Sequence, residues 1–140
     1  MKVQNVIVVG CGRLGALLAN NLSREGCSVT VVDRNSGAFK LLDADFSGFC
    51  VTGDATELQM LKEAGVEGAD CLLAATEKDT VNLMVTQVAK TVFGVKFALA
   101  RVYDPRREKL YRSLGVETIS PTVLIADQFL SLLGLREGVS

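Results

Sequence analysis

Short β-branched runs alternate with segments of helical periodicity along the whole chain. The runs are Val6–Val9, Val29–Val32, Phe49–Val51, Cys71–Ala74, Phe97–Ala100 and Glu117–Ile119. Most are continuously apolar, the pattern of strands in a parallel sheet covered on both faces. Helix start signals fall between them. Thr56-Glu57-Leu58-Gln59 reads as a capping box, while Asp104-Pro105 and Ser120-Pro121 each set an N-cap residue before a proline at the first helical position. Gly26, Gly65, Gly94 and Gly115 stand where helices should end. The pattern predicts six strands and six helices in strict βα order, an α/β, doubly wound, three-layered architecture around a six-stranded parallel sheet. No linker, repeat or low-complexity tract interrupts it, so residues 1–140 read as one domain.

The last predicted helix differs from the others. From Thr122 to Leu135 it carries Val123, Leu124, Ile125, Ala126, Phe129, Leu130, Leu132, Leu133 and Leu135, spread around most of its circumference. A helix that is apolar on nearly all sides needs cover on nearly all sides, and the sheet can bury only one face. A second copy of the chain, as a homodimer through residues 122–135, or another chain is expected to cover the rest; the alternative is a helix tucked into the domain's own edge.

Composition narrows the classes. With 49% hydrophobic and 22% charged residues, the chain is globular rather than disordered. Its 15 basic and 16 acidic residues nearly balance, so no nucleic-acid partner is expected. No apolar run approaches the ~18 residues that would span a bilayer, so no direct membrane insertion is expected. The first residues lack the length and cleavage site of a signal peptide, and the expected setting is a soluble, intracellular one. There is no histidine, the commonest general acid/base and metal ligand. Cys11, Cys27, Cys50 and Cys71 form no Cys-x-x-Cys, so neither a zinc site nor a dithiol pair is indicated; each is expected to be a small buried hydrophobe. Cys11 alone, lying in the glycine loop, leaves a redox-sensing role to be tested.

The first strand runs directly into Gly10-Cys11-Gly12-Arg13-Leu14-Gly15, a G-x-G-x-x-G with a strand before it and a helix after it. Gly10 permits the tight turn, Gly12 lets the backbone approach a pyrophosphate, and Gly15 allows close helix–strand packing, with phosphates at the positive helix N-terminus. Asp33 ends the second strand 18 residues after Gly15, where a carboxylate can accept from a ribose hydroxyl. This combination is Rossmann-like and points to a dinucleotide or adenine nucleotide. Asp33 would repel a 2′-phosphate, which disfavours NADP; Arg34 could accommodate one, but is expected to point outward. Arg13 suits phosphate oxygens, or is a surface residue of the first helical turn. Asp54, in Gly53-Asp54-Ala55-Thr56, contacts the adenine end of a nucleotide or serves turn chemistry alone. Thr76, Glu77 and Asp79 after the fourth strand, and Arg101 ending the fifth, should face the same crevice.

Catalytic signatures are missing. Neither Tyr103 nor Tyr111 has the lysine of a Tyr-x-x-x-Lys pair, and no P-loop or Gly-x-Ser-x-Gly elbow occurs. A binding module is expected rather than an enzyme; the alternative is a small NAD-dependent oxidoreductase, or a fragment of one.

The motifs continue through Leu61-Lys62-Glu63-Ala64-Gly65-Val66, Ala75-Thr76 with Asp79 and Asn82, Ala100-Arg101-Val102 with Asp104-Pro105, and Leu114-Gly115-Val116 leading to Ser120-Pro121. In that order they resemble, over essentially the full chain, the N-terminal nucleotide-binding (RCK, or TrkA-N) domain of regulatory subunits of potassium channels and Trk/Ktr potassium transporters. The resemblance implies that NAD(H), ADP or ATP binds in the Rossmann crevice, that domains pair through the last helix and assemble into rings, and that ligand exchange gates potassium flux. It implies a cytoplasmic location at the inner face of the membrane, held by a membrane-embedded transporter or channel subunit. Carried onto this chain, Gly10 to Gly15 with Arg13 would hold phosphates and Asp33 the ribose. Asp54 and Ala55 would lie near the adenine, with Thr76 and Arg101 further along. Many family members continue into a second regulatory domain; this sequence ends at Ser140, so a single-domain subunit or a separated second half is expected.

Overall fold

The computed structural model describes residues 3–136; the extreme ends of the single domain expected over 1–140 lie outside them. Six parallel strands form one sheet: β1 (Asn5–Val9), β2 (Ser28–Asp33), β3 (Phe49–Thr52), β4 (Cys71–Ala74), β5 (Phe97–Arg101) and β6 (Glu117–Ile119). Their spatial order is β3-β2-β1-β4-β5-β6, so the chain reverses its direction of travel across the sheet between β1 and β4. Among the described residues five α-helices accompany them: α1 (Arg13–Arg24), α2 (Leu58–Glu63), α3 (Asp79–Thr91), α4 (Glu108–Ser113) and α5 (Pro121–Leu132). The order and parallel pairing are those of a Rossmann-like fold.

The central strands bury residues on both faces, as their unbroken apolar runs require. Toward α1, Val6, Val8, Val29 and Val31 pack with Ala16 and Ala19. On the other side, Ile7, Val9, Val32 and Leu72 pack with Leu61 of α2 and Val85 and Ala89 of α3. Each of these valine, isoleucine and leucine side chains contributes about 1.5–3 kcal/mol by leaving water. The outer strands are less covered. In β5, Ala98 and Ala100 are buried whereas Phe97, Leu99 and Arg101, on the opposite face, are half-buried. The register aligns Leu99 with half-buried Leu73 and with Glu117.

Some local expectations are corrected. The connection after β2 forms a 3-10 helix at Ser36–Leu41 instead of a sixth α-helix; Asn35 caps it, and none of its residues is buried. Thr56 does not cap α2: its hydroxyl donates to Asp54 Oδ1 at 2.7 Å, and the helix starts after Glu57 without a side-chain cap. Gly26, Gly65, Gly94 and Gly115 all take positive φ just past helix ends, as expected. The last helix spans Pro121–Leu132 rather than residues 122–135; Ser120 caps it, and Gly134 turns the chain beyond it. No residue of α5 is buried. Cys11 and Cys71 are buried as expected, but Cys27 is half-buried and Cys50 exposed. Cys50 pairs with buried Val31, but it lies on the edge strand, where the short 3-10 turn provides little cover.

Candidate functional site

Strand β1 ends in a turn built from small residues. Gly10 has φ +98°, and a Cβ there would press within 3.0 Å of the Ala75 and Thr76 backbone. The glycine loop and the β4–α3 loop therefore lie against each other. At Gly15 a Cβ would overlap the Gly10 carbonyl oxygen, so α1 can start this close to β1 only with glycine. Gly12 is the reverse case, with open space where a Cβ would go. Gly12 is also the N-cap of α1, and no side chain caps the helix. Its first N–H groups are the donors that a helix N-terminus offers to an anion.

A crevice of about 1000 Å³ opens above the carboxyl ends of β1, β2, β4 and β5. Gly10, Cys11, Gly12, Arg13, Leu14, Asp33, Arg34, Asp54, Ala55, Thr76 and Arg101 all line it. Gly15, of the glycine loop, does not; its role is the packing just described. Asp79 also lies away from the crevice, contrary to expectation. Its carboxylate accepts from the N–H groups of Tyr103 at 2.8 Å and Asp104 at 3.2 Å, which anchors the loop after β5. Arg34 is exposed, as expected, yet it remains on the crevice rim and helps keep Asp54 ionised.

Asp33 braces the loop. One carboxylate oxygen accepts from Cys11 N–H at 2.7 Å and the other from Asn35 N–H at 2.8 Å. An ionised carboxylate has about four acceptor sites, so both oxygens retain capacity for a hydroxyl. Asp54 accepts from the Thr56 N–H and hydroxyl. These bonds, the hydroxyl's first, hold its carboxyl below the ordinary value of 3.8, with a smaller contribution from Arg34. Cys11 has no exposed surface, and burial, with Asp33 nearby, pushes its thiol up to about 11. A reactive thiol needs the opposite, a stabilised and accessible thiolate.

Across the turning point of the sheet, the fully buried Asn82 joins two strand ends. Its Oδ1 accepts from the Thr76 N–H and hydroxyl at 3.0 and 2.6 Å, and its Nδ2 donates to the carbonyls of Thr76 and Arg101 at 3.0 and 2.9 Å. Asn35, Ala38, Leu41, Lys78 and Tyr103 also line the crevice and were not singled out from sequence. They follow the carboxyl ends of β2, β4 and β5, where the rule for doubly wound sheets directs attention. Arg13, Arg34, Lys78 and Arg101 stand in the lining against Asp33, Asp54 and Glu77, a balance that suits an anionic ligand.

A sequence profile described as the TrkA-N domain matches residues 6–121. The chain is 39% identical over 129 residues to the Trk system potassium uptake protein TrkA of Streptomyces coelicolor, covering 92% of this chain and 58% of that protein. It is 33% identical over 127 residues to TrkA of Vibrio alginolyticus, covering 86% of this chain and 28% of that one. The chain thus spans little more than half the length of the first relative and less of the second. Among solved structures, the TrkA-N domain of the inner membrane protein ybaL from Escherichia coli superposes with a TM-score of 0.82 at 20% identity, covering 94% of this chain and 98% of that one. GsuK bound to ADP superposes with a TM-score of 0.77 at 23% identity (93% of this chain, 34% of that one), and the GsuK channel bound to NAD with 0.73 at 19% (93% and 23%). At these identities the structural likeness is one of fold.

Proposed function

Because the chain belongs to the TrkA-N domain family, matching it over residues 6–121, we propose that it is the nucleotide-binding regulatory part of a potassium uptake transporter or channel. It binds NAD(H) or ADP/ATP in the crevice and passes the identity of the ligand to a membrane-embedded partner subunit through a change in assembly. The observation that carries this reading is the juxtaposition of Asp33, bonded to the glycine loop at Cys11, with the uncapped start of α1 at Gly12. Phosphates sit on Gly12, Arg13 and Leu14, and the ribose hydroxyls on Asp33. The adenine lies toward Asp54 and Ala55, with Arg34 at the rim and Thr76 and Arg101 on the far side. The potassium uptake role named for the Streptomyces relative, and the ADP and NAD named for GsuK, support the choice of ligands and partner.

The domain pairs with a second copy through α5, whose Phe129, Leu132 and Leu133 are 67%, 78% and 71% exposed. Exposed apolar surface of this kind marks interaction sites. Among the described residues no helix is long and apolar enough to cross a membrane, so attachment at the cytoplasmic face runs through the partner. The crevice binds without turnover, and no chemistry is assigned to it. Gating sets one thermodynamic condition, since a ligand shifts an assembly only by its differential affinity for the two states. Competing nucleotides therefore differ in affinity or in effect.

Thermal melting with NAD, NADH, NADPH, ADP and ATP, in the wild type and in Asp33→Ala, tests the proposal. A ligand at 100 times its dissociation constant stabilises by about 2.7 kcal/mol. The expected result is a shift with NAD(H) or with ADP and ATP that Asp33→Ala abolishes, each protein referred to its own ligand-free melt. No shift with any nucleotide would overturn the reading. A substrate-dependent change in nicotinamide absorbance would replace it with the oxidoreductase.

A further inference from the structure

The two sides of the crevice treat their charged groups differently. On the β2–β3 side, Asp33 and Asp54 are tied to N–H and hydroxyl donors, and Arg13 and Arg34 stand in water. On the β4–β5 side, Arg101 is held inside the crevice wall. Its Nη2 donates to the Thr76 carbonyl at 3.1 Å, and its guanidinium carbon lies 4.5 Å from the centre of the Tyr103 ring. Its Nε is shut off from water and has no hydrogen-bond partner among the described residues. Among the described residues the ion pairs engage Arg24, Arg106, Arg107, Arg112 and Arg136 with carboxylates, but not Arg101. A buried donor of a charged group left without an acceptor is costly and calls for an explanation. An acceptor brought by a ligand supplies one, and the planar guanidinium fork matches phosphate oxygens.

The sheet decides which ligand can bring that acceptor. Strand β4 lies between β1 and β5, which separates the ends of β1 and β5 by about 10 Å at the usual strand spacing. A nucleoside monophosphate with its ribose on Asp33 and its phosphate on the glycine loop stops at the end of β1. Further phosphates continue over Thr76 toward β5. A dinucleotide uses its pyrophosphate internally and carries a sugar and base, with no terminal phosphate, into that space. Lys78, exposed on the same rim, adds a positive charge, and exposed Glu77 is the acidic residue of the lining there.

Resting on the nucleotide reading above, we infer that Arg101 is the specificity-determining residue of the crevice: it takes the terminal phosphate of ADP or ATP and sets the preference for these over AMP. In the free protein Tyr103 and the Thr76 carbonyl park the guanidinium. The arriving phosphate draws it off Thr76 and gives Nε its acceptor.

Calorimetric titration of AMP, ADP, ATP and NAD into wild type, Arg101→Gln and Arg101→Lys tests this at fixed ionic strength. The wild type should bind ADP or ATP at least about tenfold more tightly than AMP, and Arg101→Gln should bring them within about threefold of it. Arg101→Lys, which keeps the charge and loses the fork, should fall between. Equal affinity of the wild type for AMP and ADP overturns the assignment. So does a preference that survives Arg101→Gln, or a loss of AMP affinity as large as that for ADP. If Arg101→Gln fails to fold, the ratio in Arg101→Lys decides. A wild type that binds none of the four removes the nucleotide reading itself, and this inference with it.

Discussion

Asn82 uses its whole amide to hold one wall of the crevice: two donors reach its oxygen, and its nitrogen reaches two carbonyls. Asn82→Ala strands the Thr76 N–H and the Arg101 carbonyl, while the Thr76 carbonyl keeps the Arg101 guanidinium, and each unsatisfied group costs about 1–3 kcal/mol. A loss of about 3 kcal/mol in urea unfolding is expected. Asn82→Asp should cost more, because it turns a carboxylate oxygen toward carbonyls. Asp54 supplies a pH signature. Its carboxyl is held below 3.8 in the fold by the Thr56 hydroxyl and N–H, whereas the unfolded chain titrates at the ordinary value. The stabilisation is therefore complete above that value and is lost as pH falls through the lower folded one. Melting curves taken from about pH 5 down to about pH 2 should show a shallower acid decline in Asp54→Asn. Asp70 and Asp104, also held low by hydrogen bonds, keep the remainder. Cysteine labelling should follow exposure and thiolate character, with Cys50 modified in the native protein and Cys11 and Cys71 only on unfolding; a native Cys11 that reacts as readily as Cys50 would reopen the redox role. At this scale the strand ends readable in the sequence led to Asp33, Asp54 and Arg101 as lining of the crevice. The task of Asp79 was hidden, because its partners Tyr103 and Asp104 lie 24 and 25 residues away.

Helix α1 and the loop before it form one unit, because the Gly15 backbone sits against the Gly10 carbonyl with no room for a methyl group. Gly15→Ala must push the helix off β1 or distort the turn. Overpacking of this kind costs about 1–3 kcal/mol, and the same shift would misplace the first N–H groups of α1. Lower stability together with weakened nucleotide binding is the expected outcome, read by melting and titration. All six strands were legible because their apolar runs are local and their pairing follows from βα alternation. Helix positions were legible where a cap and a closing glycine bracket them. The start signal at Thr56 misled, through a competing local hydrogen bond. Asp54 takes the Thr56 hydroxyl before it can cap α2, a competition to which short polar side chains are prone. After β2, the Asn35 cap and the small Ser36-Gly37-Ala38 start a 3-10 turn that buries nothing, so no tertiary contact extends it into an α-helix.

In the molecule as a whole, coverage by its own helices is uneven. The centre of the sheet is sealed on both faces, while Phe97, Leu99 and Leu73 remain half-open and α5 offers Phe129, Leu132 and Leu133 to solvent. If α5 is the pairing surface, Phe129→Asp or Leu132→Asp should shift the sedimenting species from dimer to monomer. The melt should lose its dependence on protein concentration and fall only by what pairing contributed, because no residue of α5 is buried within the chain itself. The apolar circumference of this helix was readable from its residues alone; that the chain itself leaves it bare depends on the packing of every other element. The bonds at the two sides of the crevice have a kinetic corollary. Asp33 fixes the glycine loop and Asn82 fixes the opposite strand ends, so the crevice is preorganised and the nucleotide proposed for it would spend little ordering entropy on capture. Association should then follow one exponential whose rate rises linearly with ligand concentration, without the plateau that a slow isomerisation imposes. On the proposed function, a signal leaving such a cradle would travel through the charge and contacts that the ligand contributes, with the walls acting as its lever rather than its hinge.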